Sequence, residues 1–424
     1  VTPQEIRATL ERLREAGLAL RRRPAREIVA ALGRVLDGLR DPTSSWRRAL
    51  EAELPEAAGF SHETVREGLA RGLAGWSADA LQALVEDELG GADRLDACDG
   101  TLVTGFGTTA VLLAGSIPMP SLLALLAPLV LRSPVLAKTA TRDPVTAPLV
   151  ADAIAEADPE LGRCVAVVSF PGDDAARSAA LLSADCVVAT GSDATLAEVA
   201  ARVTAPRRLV AYGHRLSLAV LGREALTGEA LAAEARALAL DTALWDQLGC
   251  LSPVSVYAVG GEPGATERVV EALGEALERA EKRWPRGPVS RHAAALIGHE
   301  RADAELRAAA GGGVSIRASR DTAWTVIGEA DATARALPLH RFLRVHPVSD
   351  EAALLAALAP FAAHLAAVAV EGFGARTPEL ARELARLGAS RICRPGALQA
   401  PPLAWHHDGS GVLIPLARFA DRET

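Results

Sequence analysis

The chain of 424 residues predicts an α/β protein: a doubly wound parallel-sheet domain, a second α/β section after it, and a helical region before it. Three observations lead there. Residues 1 to about 95 place apolar residues at three- and four-residue spacing. From about Gly105 to Tyr212 the sequence repeats strand, turn and helix, and its strand runs are continuously apolar, as a sheet covered on both faces requires. Half of the residues are apolar and 23% are charged, so the chain can give each of two or three domains a core.

The N-terminal helices are expected in "PQEIRATLERLREAGLALRR", "AREIVAALGRVLDGLR", "SHETVREGLARGLAGW" and "SADALQALVEDEL", with "SHET" supplying an N-cap. Nothing in them suggests chemistry. The sheet units follow: "TTAVLLA" then "SLLALLAPLVL"; "SPVLAKTA" then "APLVADAIAEA"; "CVAVVSF" then "DAARSAALL"; "DCVVAT" then "DATLAEVAARV"; and finally "RRLVAY". Helices of about ten residues between the strands serve as crossovers. A second section opens near residue 223 with a helix-rich stretch to Gln247, then a turn at Cys250, the strand "VSVYAV" and the helix "TERVVEALGEALERAEKRW". The segment "RPGALQAPPLAWHHDGSG" is too rich in Pro and Gly for regular structure. The expected divisions are 1–100 (helical), 101–222 (dinucleotide-binding), 223–395 (cysteine-bearing) and 396–424 (a Pro/Gly-rich return segment).

Composition removes several classes of function. A net charge of −8 gives no general reason to expect nucleic acid. Residues 1–50 run the other way, with eleven arginines against six acidic residues; "RRRPAR" reads as a solvated helical face in preference to a polyanion site. Five cysteines without C-x-x-C spacing make neither a zinc site nor a disulfide framework and fit a reducing cytosol. No charged-then-apolar leader opens the chain, and its start at Val1 suggests that a few residues precede it. Residues 107–131 carry no charge, nominally enough to cross a bilayer, but "GSIPMP" divides them. Its prolines, beside Gly-Ser, are expected in an extended turn between a buried strand and a buried helix.

Sheets of this kind bind ligands at the carboxyl ends of their strands. The loops there are "GSIPMP", "KTATRD", "FPGDD", "TGSDA" and "YGHR". "GFG" at 105–107 is not a G-x-G-x-x-G fingerprint. Gly191 and Ser192 sit where a strand meets a helix, suited either to a plain N-cap or to an anion. Lys138 closes an apolar strand and either snorkels to solvent or reaches a ribose or phosphate. His214 is a candidate acid/base or a structural residue. "HHD" at 406–408 lacks a second ligand pair and reads as a surface loop, not a metal site. Cys250, in "DQLGCLSPVSVY", is either a small buried hydrophobe or a nucleophile at a turn.

In their order, "GSIPMP", "LRSPVLAKTATRDP", "ATGSDATLAEV", "YGHRLSLAVLGREAL", "DQLGCLSPVSVY" and "RICRPGALQAPPLAWHHDG" resemble the aldehyde dehydrogenase superfamily, and within it the acyl-CoA reductases of bacterial bioluminescence fatty-acid reductase complexes. The resemblance covers residues from about 105 to the end. It implies an aldehyde-dehydrogenase-like fold and a nucleophilic Cys250, which takes the acyl group from an acyl-CoA as an enzyme thioester. Reduction to a thiohemiacetal and collapse to an aldehyde follow. It implies that Lys138 contacts the adenosine ribose or its phosphate and that Gly191 and Ser192 lie at the pyrophosphate; Pro171 and Gly172 of the "FPGDD" turn complete the expected cofactor site. It also implies a cytoplasmic homo-oligomer, with an acyl-transfer protein as a further candidate partner.

Three departures from the superfamily pattern carry expectations of their own. Ser116 stands where an oxyanion-hole Asn is usual, leaving a hydroxyl or the Cys250 N–H to hold the oxyanion. His214 stands in place of the general-base Glu, which favours reduction over release of a free acid. Thr141 replaces an acidic residue three positions after the strand lysine, and Arg142 follows it, which favours NADPH, with NADH the alternative. The competing readings are a CoA-acylating aldehyde dehydrogenase, a reductase fed by a carrier-protein thioester, and an inactive nucleotide-binding scaffold.

Overall fold

The computed structural model describes residues 1–97 and 100–423, so Cys98 lies outside the described residues. The chain forms two compact units. The first holds residues 1–58, 72–214 and 402–424; the second holds 59–71 and 215–401.

The first unit is organised by a five-stranded sheet. Its strands are β2 (Thr109–Leu112), β3 (Val135–Lys138), β4 (Val165–Val168), β5 (Cys186–Thr190) and β6 (Arg208–Tyr212), all parallel, in the order β4-β3-β2-β5-β6. The order reverses direction at β2, as in a doubly wound fold. A separate short strand, β1 (Thr101–Thr104), pairs antiparallel with Arg418–Asp421 and ties the return segment to the start of the sheet region. Each predicted strand and crossover helix is present. The N-terminal helices belong to this body: Ile6, Leu10 and Leu13 of the helix Pro3–Leu20 share one core with Ala110, Leu136, Val187 and Ala189. That helix opens with a capping box, Thr2 accepting from the Glu5 N–H and the Thr2 N–H donating to the Glu5 carboxylate.

"GSIPMP" departs from its expected conformation. The turn ends at Ile117, and Pro118 and Pro120 lie in the first turn of the helix Pro118–Val130. First-turn N–H groups have no intrahelical acceptor, so proline costs little there. Among the described residues, no helix is long and apolar enough to cross a membrane.

The second unit carries a seven-stranded sheet: β7 (Leu216–Leu221), β8 (Pro253–Val259), β9 (Ser315–Ala318), β10 (Thr325–Gly328), β11 (Phe342–Val348), β12 (Leu365–Glu371) and β13 (Arg391–Cys393). The order is β13-β12-β7-β8-β11-β10-β9, and only β9 runs antiparallel to its neighbour. Three of the expected divisions therefore differ from the compact units, the return segment joining the first unit only from residue 402 and not from 396. β7 lies in the second sheet, so the change of body comes at residue 214 and not at 222. Residues 59–71, expected with the N-terminal helices, belong to the second unit because Phe60 and the helix His62–Gly72 pack on Trp245.

Candidate active site

The expected cofactor residues share one edge of the first sheet. Lys138, Leu112, Val168, Ala189 and Ala211 form one row across the five strands, and the loops that follow carry Ser116, Thr141, Arg142, Pro171, Gly172, Gly191, Ser192 and His214. Lys138 is 8% exposed. Its Nζ donates to the Thr139 carbonyl at 3.2 Å and lies 5.3 Å from the Phe170 ring centroid. Burial pushes its pKa below the usual lysine value by disfavouring the charged form.

The turn after β3 closes tightly, the Asp143 N–H donating to the Ala140 carbonyl, and leaves Thr141 and Arg142 exposed at its tip. Asp143 is a carboxylate that sequence reasoning missed. It is buried and accepts from the Val145 and Thr146 N–H groups, so it serves the start of the next helix. Burial raises its pKa. Ser192 is an N-cap in fact: its Oγ accepts from the Thr195 N–H at 3.2 Å. Gly172 is exposed, with open space where a Cβ would stand. Ser116 is 3% exposed, whereas His214 is exposed and its N–H donates to Asp193. His407 of "HHD" packs edge-on to Tyr212 and Trp405, with ring centroids 4.8 and 4.9 Å away. Among the described residues, no three His, Cys, Asp or Glu side chains gather as a metal site.

Cys250 belongs to the second unit, in a half-buried turn closed by the Ser252 N–H donating to the Gly249 carbonyl at 3.0 Å. Ser217 Oγ donates to the Cys250 carbonyl at 2.7 Å and accepts from the Ala367 N–H, fixing the turn against β7 and β12. The approach to this turn is unusual. Trp245, Asp246 and Gln247 all hold positive φ, at 56°, 51° and 63°. None is a glycine, so each carries a steric cost that the surroundings must offset.

Three sets of contacts do so. Trp245 is fully buried, with Phe60 edge-on at 5.3 Å. Asp246 accepts from Arg341 at 2.5 Å and from the Gly287 N–H at 3.0 Å. Gln247 accepts from the Phe342 N–H and donates to the carbonyls of Phe342 and Pro253, all within 2.9 Å. Arg341 itself ends a second left-handed run, Leu339–Arg341, and its guanidinium also donates to Glu281 and the Trp284 carbonyl. These supporting residues were not singled out from sequence; the one local signal was a polar "DQ" in an apolar setting.

The other described thiols differ. Cys164 and Cys186 are buried, with pKa values pushed up to about 11 and about 12 by desolvation. Cys393 is half-buried in β13, and burial pushes it up to about 11.

Behind the cysteine turn lies a buried acid. Asp241 accepts from the Gly396 N–H at 2.6 Å, while Gln399 Nε2 bridges the Asp241 carbonyl and Ser252 Oγ. Burial raises the Asp241 carboxyl from 3.8 to about 7 against the opposing pull of backbone N–H groups. A pKa raised on folding stabilises the neutral form, so the contribution is whole below about pH 4 and is lost as pH rises to about 7. Asp241→Asn should remove this loss: its urea midpoint should gain on the wild type between pH 5 and pH 8, and a constant difference would refute the assignment.

The comparisons with known proteins agree with this architecture. The long-chain acyl-protein thioester reductase of Aliivibrio fischeri is 25% identical over 397 residues, covering 89% of this chain and 78% of that one. An NAD-dependent benzaldehyde dehydrogenase from Corynebacterium glutamicum superposes with a TM-score of 0.73 at 15% identity, covering 100% and 91% of the two chains. An NADP-dependent glyceraldehyde-3-phosphate dehydrogenase from Bacillus halodurans gives 0.74 at 15%, covering 99% and 90%. The fold is that of the aldehyde dehydrogenases. The family model described as acyl-CoA reductase (LuxC) matches residues 20–419, from the first helix to the strand that pairs with β1, and with nearly the whole chain so matched, the protein belongs to that family.

Proposed function

We propose that the protein reduces a fatty acyl thioester to an aldehyde through an acyl group carried on Cys250. The observation that carries the reading is the contrast among thiols: Cys250 sits on a braced, half-buried turn, while Cys164, Cys186 and Cys393 are all pushed towards the inert thiol form. The Cys250 sulfur attacks the thioester carbonyl and the donor thiolate leaves. Ser116 Oγ and the Cys250 N–H are the donors assigned to the carbonyl oxygen, and His214 moves the proton between the Cys250 thiol and the departing thiolate.

The cofactor residues fit a nicotinamide dinucleotide. Lys138 is a buried cation at a strand end, and Gly172 and Gly191 keep the backbone bare where phosphates approach. Bound there, NADPH supplies the hydride. Asp143 is buried, with its Oδ1 accepting from the following helix, and Arg142 stands exposed at the turn tip, which suits it to a 2′-phosphate. Arg142→Glu should weaken NADPH roughly 10–100-fold and NADH little. Equal constants for both cofactors in the wild type would count against the preference.

His214→Ala should lower turnover by about 10²–10⁴-fold and flatten the pH profile; full turnover with an unchanged profile would leave His214 a structural role. The test of the whole reading is NADPH oxidation with an acyl-CoA chain-length series and identification of the aldehyde. A second reading, in which the acyl donor is a protein thioester, is favoured by the name of the Aliivibrio fischeri relative. A carrier-bound acyl group compared with the same acyl-CoA decides between the donors. Failure of both to give aldehyde, with intact cofactor binding, would support the scaffold reading.

A further inference from the structure

The first unit contains a cavity of about 780 Å³ at the end of its sheet opposite the cofactor loops. Gly107, two residues before β2, and Leu131, four before β3, line it, which places it at the amino ends of the strands. Five arginines contribute: Arg21, Arg22, Arg26, Arg132 and Arg418. Arg21, Arg22 and Arg26 come from the "RRRPAR" stretch, which the sequence alone reads as a solvated face.

Among the described lining residues, only Asp93 and Asp96 oppose them, leaving a net three positive charges there. Asp96 is already committed, since it pairs with Arg132 and accepts from the Ala25 N–H. Among the described residues, Arg22, Arg26 and Arg418 have no carboxylate partner. Arg26 also lies in the first turn of the helix Ala25–Arg40, where the helix dipole disfavours a cation. Arg132 is 6% exposed, and its Nε is a buried donor without an acceptor. Such a cluster repels itself unless an anion joins it, and a concave wall focuses its field.

We propose that this cavity binds a small molecule bearing two or more linked phosphate groups. Its volume is that of a small-molecule site. Three net charges match an oligophosphate, whereas one carboxylate would leave most of the repulsion in place. Guanidinium forks suit phosphate oxygens. Leu95, Leu102 and Val103 give the wall an apolar part that accommodates an organic remainder. A long polyanion fits poorly, because the whole chain carries −8 and the arginines line a hollow. The proposal does not depend on the reading of Cys250.

The test is calorimetric titration of the full chain, at about physiological ionic strength, with inorganic tripolyphosphate, ATP and coenzyme A in turn. At least one titrant should bind with a single stoichiometric event that weakens as salt is added. The double variant Arg22→Glu, Arg26→Glu should weaken that event by about tenfold or more. Both residues are exposed, so circular dichroism and the melting temperature should stay near the wild type. Arg142→Glu, at the opposite end of the sheet, should leave the event unchanged. Tripolyphosphate binding as tightly as ATP assigns recognition to the phosphates alone; tighter ATP or coenzyme A identifies an organic source. No binding by any titrant up to about 1 mM, weaker than any Kd of use at that level, or binding lost in Arg142→Glu but kept in the double variant, would overturn the proposal.

Discussion

Incubated with an acyl-CoA and no reduced nicotinamide, the wild-type chain should hold one acyl group, released by hydroxylamine and mapped to the peptide that contains Cys250. Cys250→Ser should hold none and make no aldehyde. A serine hydroxyl is far harder to ionise than a thiol, and an ester formed on it would be a poorer leaving group in the later collapse. The substitution changes one atom in a turn fixed by main-chain bonds, so the fold should survive it. Cofactor binding should survive as well, because the residues proposed for it lie in the first unit. Acyl label on Cys164, Cys186 or Cys393, or aldehyde production by Cys250→Ser, would remove Cys250 from the mechanism.

Arg341→Met should be the most damaging single substitution behind the cysteine turn. The Arg341 guanidinium is 1% exposed and serves Asp246, Glu281 and the Trp284 carbonyl. Removing it leaves the 3% exposed Asp246 carboxylate without its cation, a change that typically costs about 3–5 kcal/mol. Asp246 and its two neighbours would then have lost a main reason to stay left-handed. A large drop in urea midpoint should therefore be joined by loss of acylation at Cys250 even where the chain is still folded. Adding Asp246→Asn should recover part of the stability, since the stranded charge is gone. A loss under about 1 kcal/mol, within the range of ordinary surface changes, would show that the pair does not brace the turn.

The parallel sheet of the first unit was readable because its strands are short apolar runs separated by helices of crossover length, and β2 to β6 all fall inside those runs. Lys138 and Cys250 were readable as candidates because each stands at an abrupt change of character, a charge ending a strand and a thiol between Gly249 and Ser252-Pro253. What supports Cys250 was not readable. Left-handed backbone is normally marked by Gly or Asn, yet here Trp245, Asp246 and Gln247 adopt it under tertiary contacts with Phe60, Arg341 and Phe342. The membership of β7 in the second sheet was equally hidden, because hydrophobic periodicity identifies a strand without naming its neighbours. Asp143 escaped notice for a related reason: only the structure shows that it is buried and that its Oδ1 accepts from the start of the next helix.

The bracing of the cysteine turn also sets when in the life of the chain that turn takes its shape. Gln247 meets Phe342 across 95 residues, and Gln399 reaches Ser252 across 147. Such distant pairings are among the slower steps of folding, since each closes a long loop before it gains anything. A nascent chain that has emerged only as far as β11 therefore contains Cys250 but lacks the Gln399 clamp on its turn. Under the role proposed for Cys250, acylation by a thioester donor is expected only once synthesis has passed residue 399 and the turn has gained that clamp.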